Sequence, residues 1–386
     1  MPYIMYRDMG YDAVLVSYKN GEYPYLEEEV PGLRMKLMKK RWDHVFQKVF
    51  SRVFAPGSAP FRISQSLCTT LDAIPWLVYN GRKINVLQLY HIKEESVLVG
   101  LIYRLINPKG KLYLKLDLHP GILDRYQKDP DVFNQKTSPL YNLVKTNIIK
   151  LVKFNVITVE SQEIYEYIRS NPPFFISNRE RVHYLPNGID NRKLPVTIPP
   201  LENRENVILH IGRLGSMDKR TDMVLEAFAA ISDELPQWKL VLIGPPEDGF
   251  SDYFSRFIKE HENLTDRIIF VGYLKTRKEV FDYYIRSKII AFPSRYESFG
   301  LVIAEAGACG VVPVATQIPS LIDLTDNGRM GYLCPIDDTD FFTNQLRYAM
   351  SHDEELREKS HEMVHYIQNR FEWSAICSQL QELLYN

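Results

Sequence analysis

The stretch FPSRYESFGLVIAEAGACGVVPVAT, residues 292–316, decides the fold. It leaves an apolar run, IIAFP, crosses a polar loop, enters LVIAEAGACG and returns to a second apolar run, VVPVAT. Val- and Ile-rich runs with little polar alternation are strands covered on both faces. Strands separated by helical stretches make βαβ units and parallel sheets. The pattern extends outward over most of the sequence. Strands are predicted over 13–18, 84–90, 111–118, 155–161, 206–212, 239–244, 267–272, 289–294 and 311–316, and helices over 221–233, 278–286, 300–309 and 375–384. A chain of 386 residues is long for one core, and two units of about 150–200 residues are expected. The Pro-, Asn- and Gly-dense segment LPNGIDNRKLPVTIPP, 185–200, interrupts the pattern as a linker does. The expected organisation is α/β, with an N-terminal domain over 1–190, a second domain over 191–365 and a terminal segment over 366–386. Open α/β sheets bind ligands beyond the carboxyl ends of their strands, and a cleft between the two domains is the expected site.

Composition narrows the function. A formal net charge of -1 excludes general affinity for nucleic acid, which needs an excess of Lys and Arg. The four cysteines, Cys68, Cys309, Cys334 and Cys377, form no C-x-x-C pair. They imply neither a zinc site nor a disulfide framework, and a reducing, cytoplasmic setting is expected. The apolar stretch 97–106 contains Arg104 and is about half of a membrane span. The N-terminus MPYIMYRDMG lacks the apolar core of a signal peptide.

Two clusters carry chemistry. Glu297 and Glu305 are separated by seven residues, the first in a loop after IIAFP and the second within an apolar helix. A carboxylate on such a helix is costly to bury without a partner. A ribose diol would serve; so would a neighbouring cation. Ser298, Phe299, Gly300 and Leu301 open that helix, where free backbone N–H groups can hold phosphate or sugar oxygens, with Ser298 as an alternative helix cap. The second cluster is HIGRLGSMDKRTDMVLEAF, 210–228. Gly212 ends a strand, and Arg213, Lys219 and Arg220 gather before a helix whose dipole disfavours cations. Either an anion such as a diphosphate or a solvated basic loop accounts for them.

The combination of PNGID (186–190), Gly212–Arg213 with Lys219, and the paired glutamates followed by GACGVVPVAT resembles the family-four retaining glycosyltransferases of the GT-B fold, over residues 185–335. FEWSAICSQLQELL, 371–384, resembles the last helix of that family, which returns to the N-terminal domain. The resemblance implies two Rossmann-like domains and a nucleotide-sugar donor of UDP or GDP type, with no metal or other cofactor. Arg213 and Lys219 would neutralise the donor diphosphate, Glu297 would contact the sugar and Glu305 the ribose. Residues 298–301 would hold sugar and phosphate oxygens, and Gly272, Tyr273 and Leu274 would border the base. Three departures stand out. Arg220 occupies the place of a glycine, Pro319–Ser320–Leu321–Ile322 replaces a P-E-x-I-x-D pattern, and the family's first strand and Gly-rich loop are not found ahead of PYIMYRDMGYDAVLVSY.

The N-terminal domain is read less sharply. His119 and Asp117, in KLYLKLDLHPG, compete for the family's histidine near the reacting carbon. His119 could equally be a turn residue, and Asp117 could pair with Lys115 on the same strand face. Residues 31–54 are basic and amphipathic, and the spacing of Met38, Trp42, Val45, Phe46, Val49 and Val53 predicts a helix. It would either dock on its own sheet or touch an anionic membrane surface on the cytoplasmic side. The expected acceptor is a glycan, a lipid-linked sugar or a protein hydroxyl. A nucleotide-sugar epimerase and an inactive partner subunit are the competing functions.

Overall fold

The computed structural model describes residues 1–18, 29–38, 41–42, 49, 53, 59–91, 94–118, 151–171, 176 and 179–386. They divide into two compact units: Met1–Leu185 with Cys377–Asn386, and Pro186–Ile376.

In the first unit the helix Pro2–Met9 precedes β1 (Val14–Tyr18), which pairs in parallel with β2 (Arg34–Met38). The start of the basic 31–54 segment is therefore strand, not helix. Alternate residues of RMKLM satisfy a strand's period as well as a helix's, and pairing with β1 selects the strand. Most of the remaining segment lies outside the described residues. A second parallel sheet has the order β3 (Val86–Tyr90), β4 (Lys111–Lys115), β5 (Val156–Val159), β6 (Val182–Tyr184). Its two faces differ. Leu112, Leu114, Ile157 and Val159 pack on Leu77, Val97, Ile164 and Ile168 from three helices. The other face buries polar groups: Tyr113 bonds Thr158 at 2.9 Å, and Lys115 pairs with Glu160 at 3.0 Å. The expected alternative of a Lys115–Asp117 pair is thus replaced by a cross-strand partner, and Asp117 is exposed two residues beyond β4.

The second unit is one six-stranded parallel sheet of order β12-β11-β10-β7-β8-β9, with β7 (Val207–Ile211), β8 (Lys239–Ile243), β9 (Ile268–Gly272), β10 (Ile289–Phe292), β11 (Val312–Thr316) and β12 (Tyr332–Cys334). Counted from β7, this is the doubly wound order 3-2-1-4-5-6, with strand order reversing between β7 and β10. Both faces are covered. Ile208 joins the core around Phe228, Trp238 and Phe342, while Val207, Leu209 and Ile211 join the one around Phe292, Ile303 and Phe371. That double coverage is why these strands read as unbroken apolar runs.

The linker motif PNGID has a packing role. The Ile189 N–H donates to Phe371 O (2.7 Å) and the Trp373 N–H to Ile189 O (2.9 Å). A Cβ on Gly188 would sit 2.7 Å from Phe371 O, so the backbone approach requires glycine. All four cysteines are buried thiols. No helix among the described residues is long and apolar enough to cross a membrane.

Candidate functional site at the sheet switch point

The loops after β7 and β10 flank the point where strand order reverses, the place where doubly wound sheets hold ligands. The first, from Gly212 to Arg220, leads into the helix Thr221–Ile231; the second, from Pro293 to Gly300, leads into the helix Leu301–Ala308. The Lys219 ammonium touches the Glu297 carboxylate across them, with side-chain exposures of 17% and 15%. The Lys219 stem lies against Gly212, where an added Cβ would meet its Cγ at 3.3 Å. Gly212 is itself fixed by the neighbouring strand: its N–H donates to Ile243 O at 3.0 Å. Gly244 follows with φ +137°, and a Cβ there would fall 1.8 Å from Gly212 O, so only glycine fits.

Arg213 is half-exposed and pairs with Glu247 at 3.0 Å and Asp218 at 3.7 Å. Arg220 bonds Asp222 through Nε at 3.0 and 3.1 Å and contacts Asp337. The three cations before this helix therefore all have acidic protein partners. Neither the anion nor the solvated basic loop that the sequence left open included these partners; Arg213 and Lys219 remain accessible to an anion.

His210, on β7, is fully buried. The Gly215 N–H donates to Thr221 Oγ1 (3.1 Å), Thr221 Oγ1 lies 3.0 Å from His210 Nε2, and His210 Nδ1 lies 3.0 Å from Ala291 O. A carbonyl can only accept, so Nδ1 carries the proton and the threonine hydroxyl donates to Nε2. Burial pushes the imidazole down to about 4, partly offset by the bond to Ala291. A neutral ring thus ties β7, β10 and the loop carrying Lys219.

Glu305 has a protein partner as well: its largely buried carboxylate contacts Arg277 on the helix Arg277–Tyr284. The cap of the helix Leu301–Ala308 is Gly300, not Ser298. Phe299 is buried with its ring 5.7 Å from that of Phe371, and Leu301 is exposed. Ser320, which stands in the departed P-E-x-I-x-D pattern, donates from Oγ to Glu297 O at 3.3 Å. Ser294 Oγ, buried two residues beyond β10, has no hydrogen-bond partner among the described residues. Gly272 ends β9 with φ +78°, Tyr273 is exposed and Leu274 packs on the core. His119 lies outside the described residues.

Sequence reasoning passed over Arg277, Arg295, Asp337 and His210. Arg295 donates through Nε to both Asp337 oxygens, at 2.8 and 2.9 Å. Partial burial disfavours the Asp337 charge, yet the hydrogen bonds and charges of Arg295 and Arg220 outweigh it and hold the carboxyl below the usual range. A positive charge after a strand and an acid after another gave no spacing signal. For His210, the buried position in VILHI was the available clue.

The fold is GT-B, two Rossmann-like units. Anabaena HepE in complex with UDP and glucose superimposes with a TM-score of 0.67 over 99% of this chain and 94% of that one, at 19% identity. Residues 197–370 match the family described as Glycosyl transferases group 1. N-acetyl-alpha-D-glucosaminyl L-malate synthase of Bacillus anthracis is 28% identical over 314 residues, 80% of this chain and 76% of its own length. D-inositol 3-phosphate glycosyltransferase of Gordonia bronchialis is 28% identical over 173 residues, 43% of this chain, and the match spans only 37% of that relative.

Proposed function

We propose that this chain is a retaining glycosyltransferase that moves a sugar from a UDP- or GDP-type nucleotide-sugar to a hydroxyl acceptor, without a metal. The observation carrying it is the Lys219–Glu297 contact at the switch point, with Arg213 beside it. In transfer, the bond from the sugar's anomeric carbon to the diphosphate oxygen breaks, a bond to the acceptor oxygen forms, and the acceptor proton passes to the departing diphosphate oxygen. Charge accumulates on the departing diphosphate. Arg213 and Lys219 neutralise it where a divalent cation otherwise would. Glu297 releases Lys219 to the phosphate and turns to the sugar hydroxyls. Glu305, oriented by Arg277, accepts hydrogen bonds from the ribose. Residues 298–301 offer further donors to sugar and phosphate, and Gly272, Tyr273 and Leu274 border the base. The second unit is the donor domain and the first the acceptor domain, with Asp117 or His119 near the reacting carbon.

The acceptor is a glycan, a lipid-linked sugar or a protein, on the cytoplasmic side. The names of the two relatives above carry L-malate and D-inositol 3-phosphate, and a small hydroxylated anion is the alternative acceptor. The test is thermal unfolding of the whole chain with UDP and with GDP. A ligand at a hundred times its Kd stabilises by about 2.7 kcal/mol, so a clear rise in Tm with one nucleotide is expected, and Glu305→Ala should diminish it. No shift with either nucleotide refutes the donor site.

A further inference from the structure

Beside the Lys219–Glu297 contact a third loop enters, from beyond β12. Arg220 directly follows Lys219 and has a left-handed backbone, φ +52°. Its guanidinium reaches the Asp337 carboxylate. Arg295, two residues before Glu297, binds both oxygens of the same carboxylate. Arg295 also grips the Lys219 loop directly: its backbone N–H donates to Asp218 O (2.9 Å) and its Nη1 to Met217 O (3.1 Å). One acid thus joins the residue after Lys219 to the loop that carries Glu297, and it keeps two guanidinium groups together that would otherwise repel.

We propose that Asp337 is a positioning residue that fixes the Lys219 and Glu297 loops relative to one another, through Arg220 and Arg295, so that the Lys219 ammonium is presented to the donor diphosphate. This rests on the donor-site assignment given under Proposed function. Asp337 touches neither Lys219 nor the diphosphate in this scheme. Its effect reaches the reaction only by way of Lys219.

The experiment compares the whole chain with Asp337→Ala and Asp337→Asn, alone and combined with Lys219→Ala. Hydrogen exchange is followed in the unliganded proteins. The amides of residues 217–220 are expected to exchange about tenfold faster in the Asp337 variants, with β8 unchanged, because loop opening and core opening are separate events. UDP and GDP affinity should fall about fivefold or more with Asp337→Ala alone, and less than about twofold further when Lys219 is already Ala, the signature of coupled residues. Unchanged exchange in the loop overturns the proposal, as does an Asp337 effect that persists in full without Lys219. If wild type binds neither nucleotide, the donor-site assignment fails, while the exchange rates still decide whether Asp337 clamps the loops. The asparagine variant keeps the side-chain shape should the alanine variant fail to fold.

Discussion

Each unit places a Lys–Glu pair toward the carboxyl ends of its parallel strands, and the two pairs differ in access. Lys115 and Glu160 are sealed, with side-chain exposures of 6% and 2%; Lys219 and Glu297 keep 17% and 15%. Lys115 is the last residue of β4 and Glu160 follows β5, so both belong to the face of a sheet. Lys219 and Glu297 belong to loops that continue into helices. A sealed pair can only hold structure. A pair on loops, within reach of solvent, can exchange its internal partner for a ligand's charge. The same two residue types therefore serve opposite purposes, and burial separates them.

The largest expected effect is on the sealed pair. Lys115→Met removes the cation that faces the buried Glu160 carboxylate, and removing one partner of a buried pair costs about 3–5 kcal/mol. Lys115→Met with Glu160→Leu should recover most of that loss, because the desolvation cost disappears with both charges. Chemical denaturation of the three proteins measures it. A single variant as stable as wild type would erase the contrast between the pairs.

Next in size is the loop pair, read in turnover instead of stability. Lys219→Ala should lower kcat by about 10²–10³, the usual loss when one donor to developing charge is removed. The denaturation midpoint should move far less than with Lys115→Met, since water can reach Glu297. Equal turnover would remove Lys219 from the reaction.

The contrast was only half legible in the sequence. The doubly covered strands of the second unit read as apolar runs; Glu305 stood out as a carboxylate in an apolar helix, Arg213 and Lys219 as cations ahead of a helix N-terminus, and Gly212 and Glu297 through their places beside them. The structure brings Lys219 and Glu297 together and separates Glu305 onto Arg277. Partner choice was not legible, because Glu247, Arg277 and Asp337 come from other loops and helices, and no local spacing connects them to their partners. In the first unit, the polar sheet face hid the pairing of Lys115 with Glu160, residues 45 positions apart being invisible to any periodicity. Strands β6 and β12, three residues each, were too short to register as runs.

A pH titration sharpens the role of the loop's anchor. His210 has a folded pKa of about 4, below its ordinary 6.5. Its neutral form is native, so the contribution is complete above pH 6.5. As pH falls from 6.5 to 4 the unfolded chain takes up a proton that the folded one refuses, and stability declines by up to about 3 kcal/mol. His210→Gln, neutral throughout, should show a flatter stability profile across that window. Identical slopes in the two proteins would mean that the imidazole is not held neutral between β7 and Thr221.

The smallest effect is expected at Arg220, where two terms oppose. A left-handed non-glycine residue costs about 1–2 kcal/mol, which Arg220→Gly relieves, less the extra chain entropy that glycine loses on folding, about 0.5–1 kcal/mol. Against this gain stands the loss of contacts to Asp222 and Asp337, whose side chains are 45% and 44% exposed. Water reaches the acid side of each pair although Arg220 is itself only 13% exposed, so each contributes about 1 kcal/mol. The terms partly cancel, so the denaturation midpoint should stay close to wild type. Nucleotide affinity should nevertheless fall, because the clamp on the Lys219 loop is broken even though the fold is not. A variant that loses stability and keeps its affinity would reverse the assignment, making Arg220 a structural residue like Lys115 and leaving Lys219 positioned by Arg295 alone.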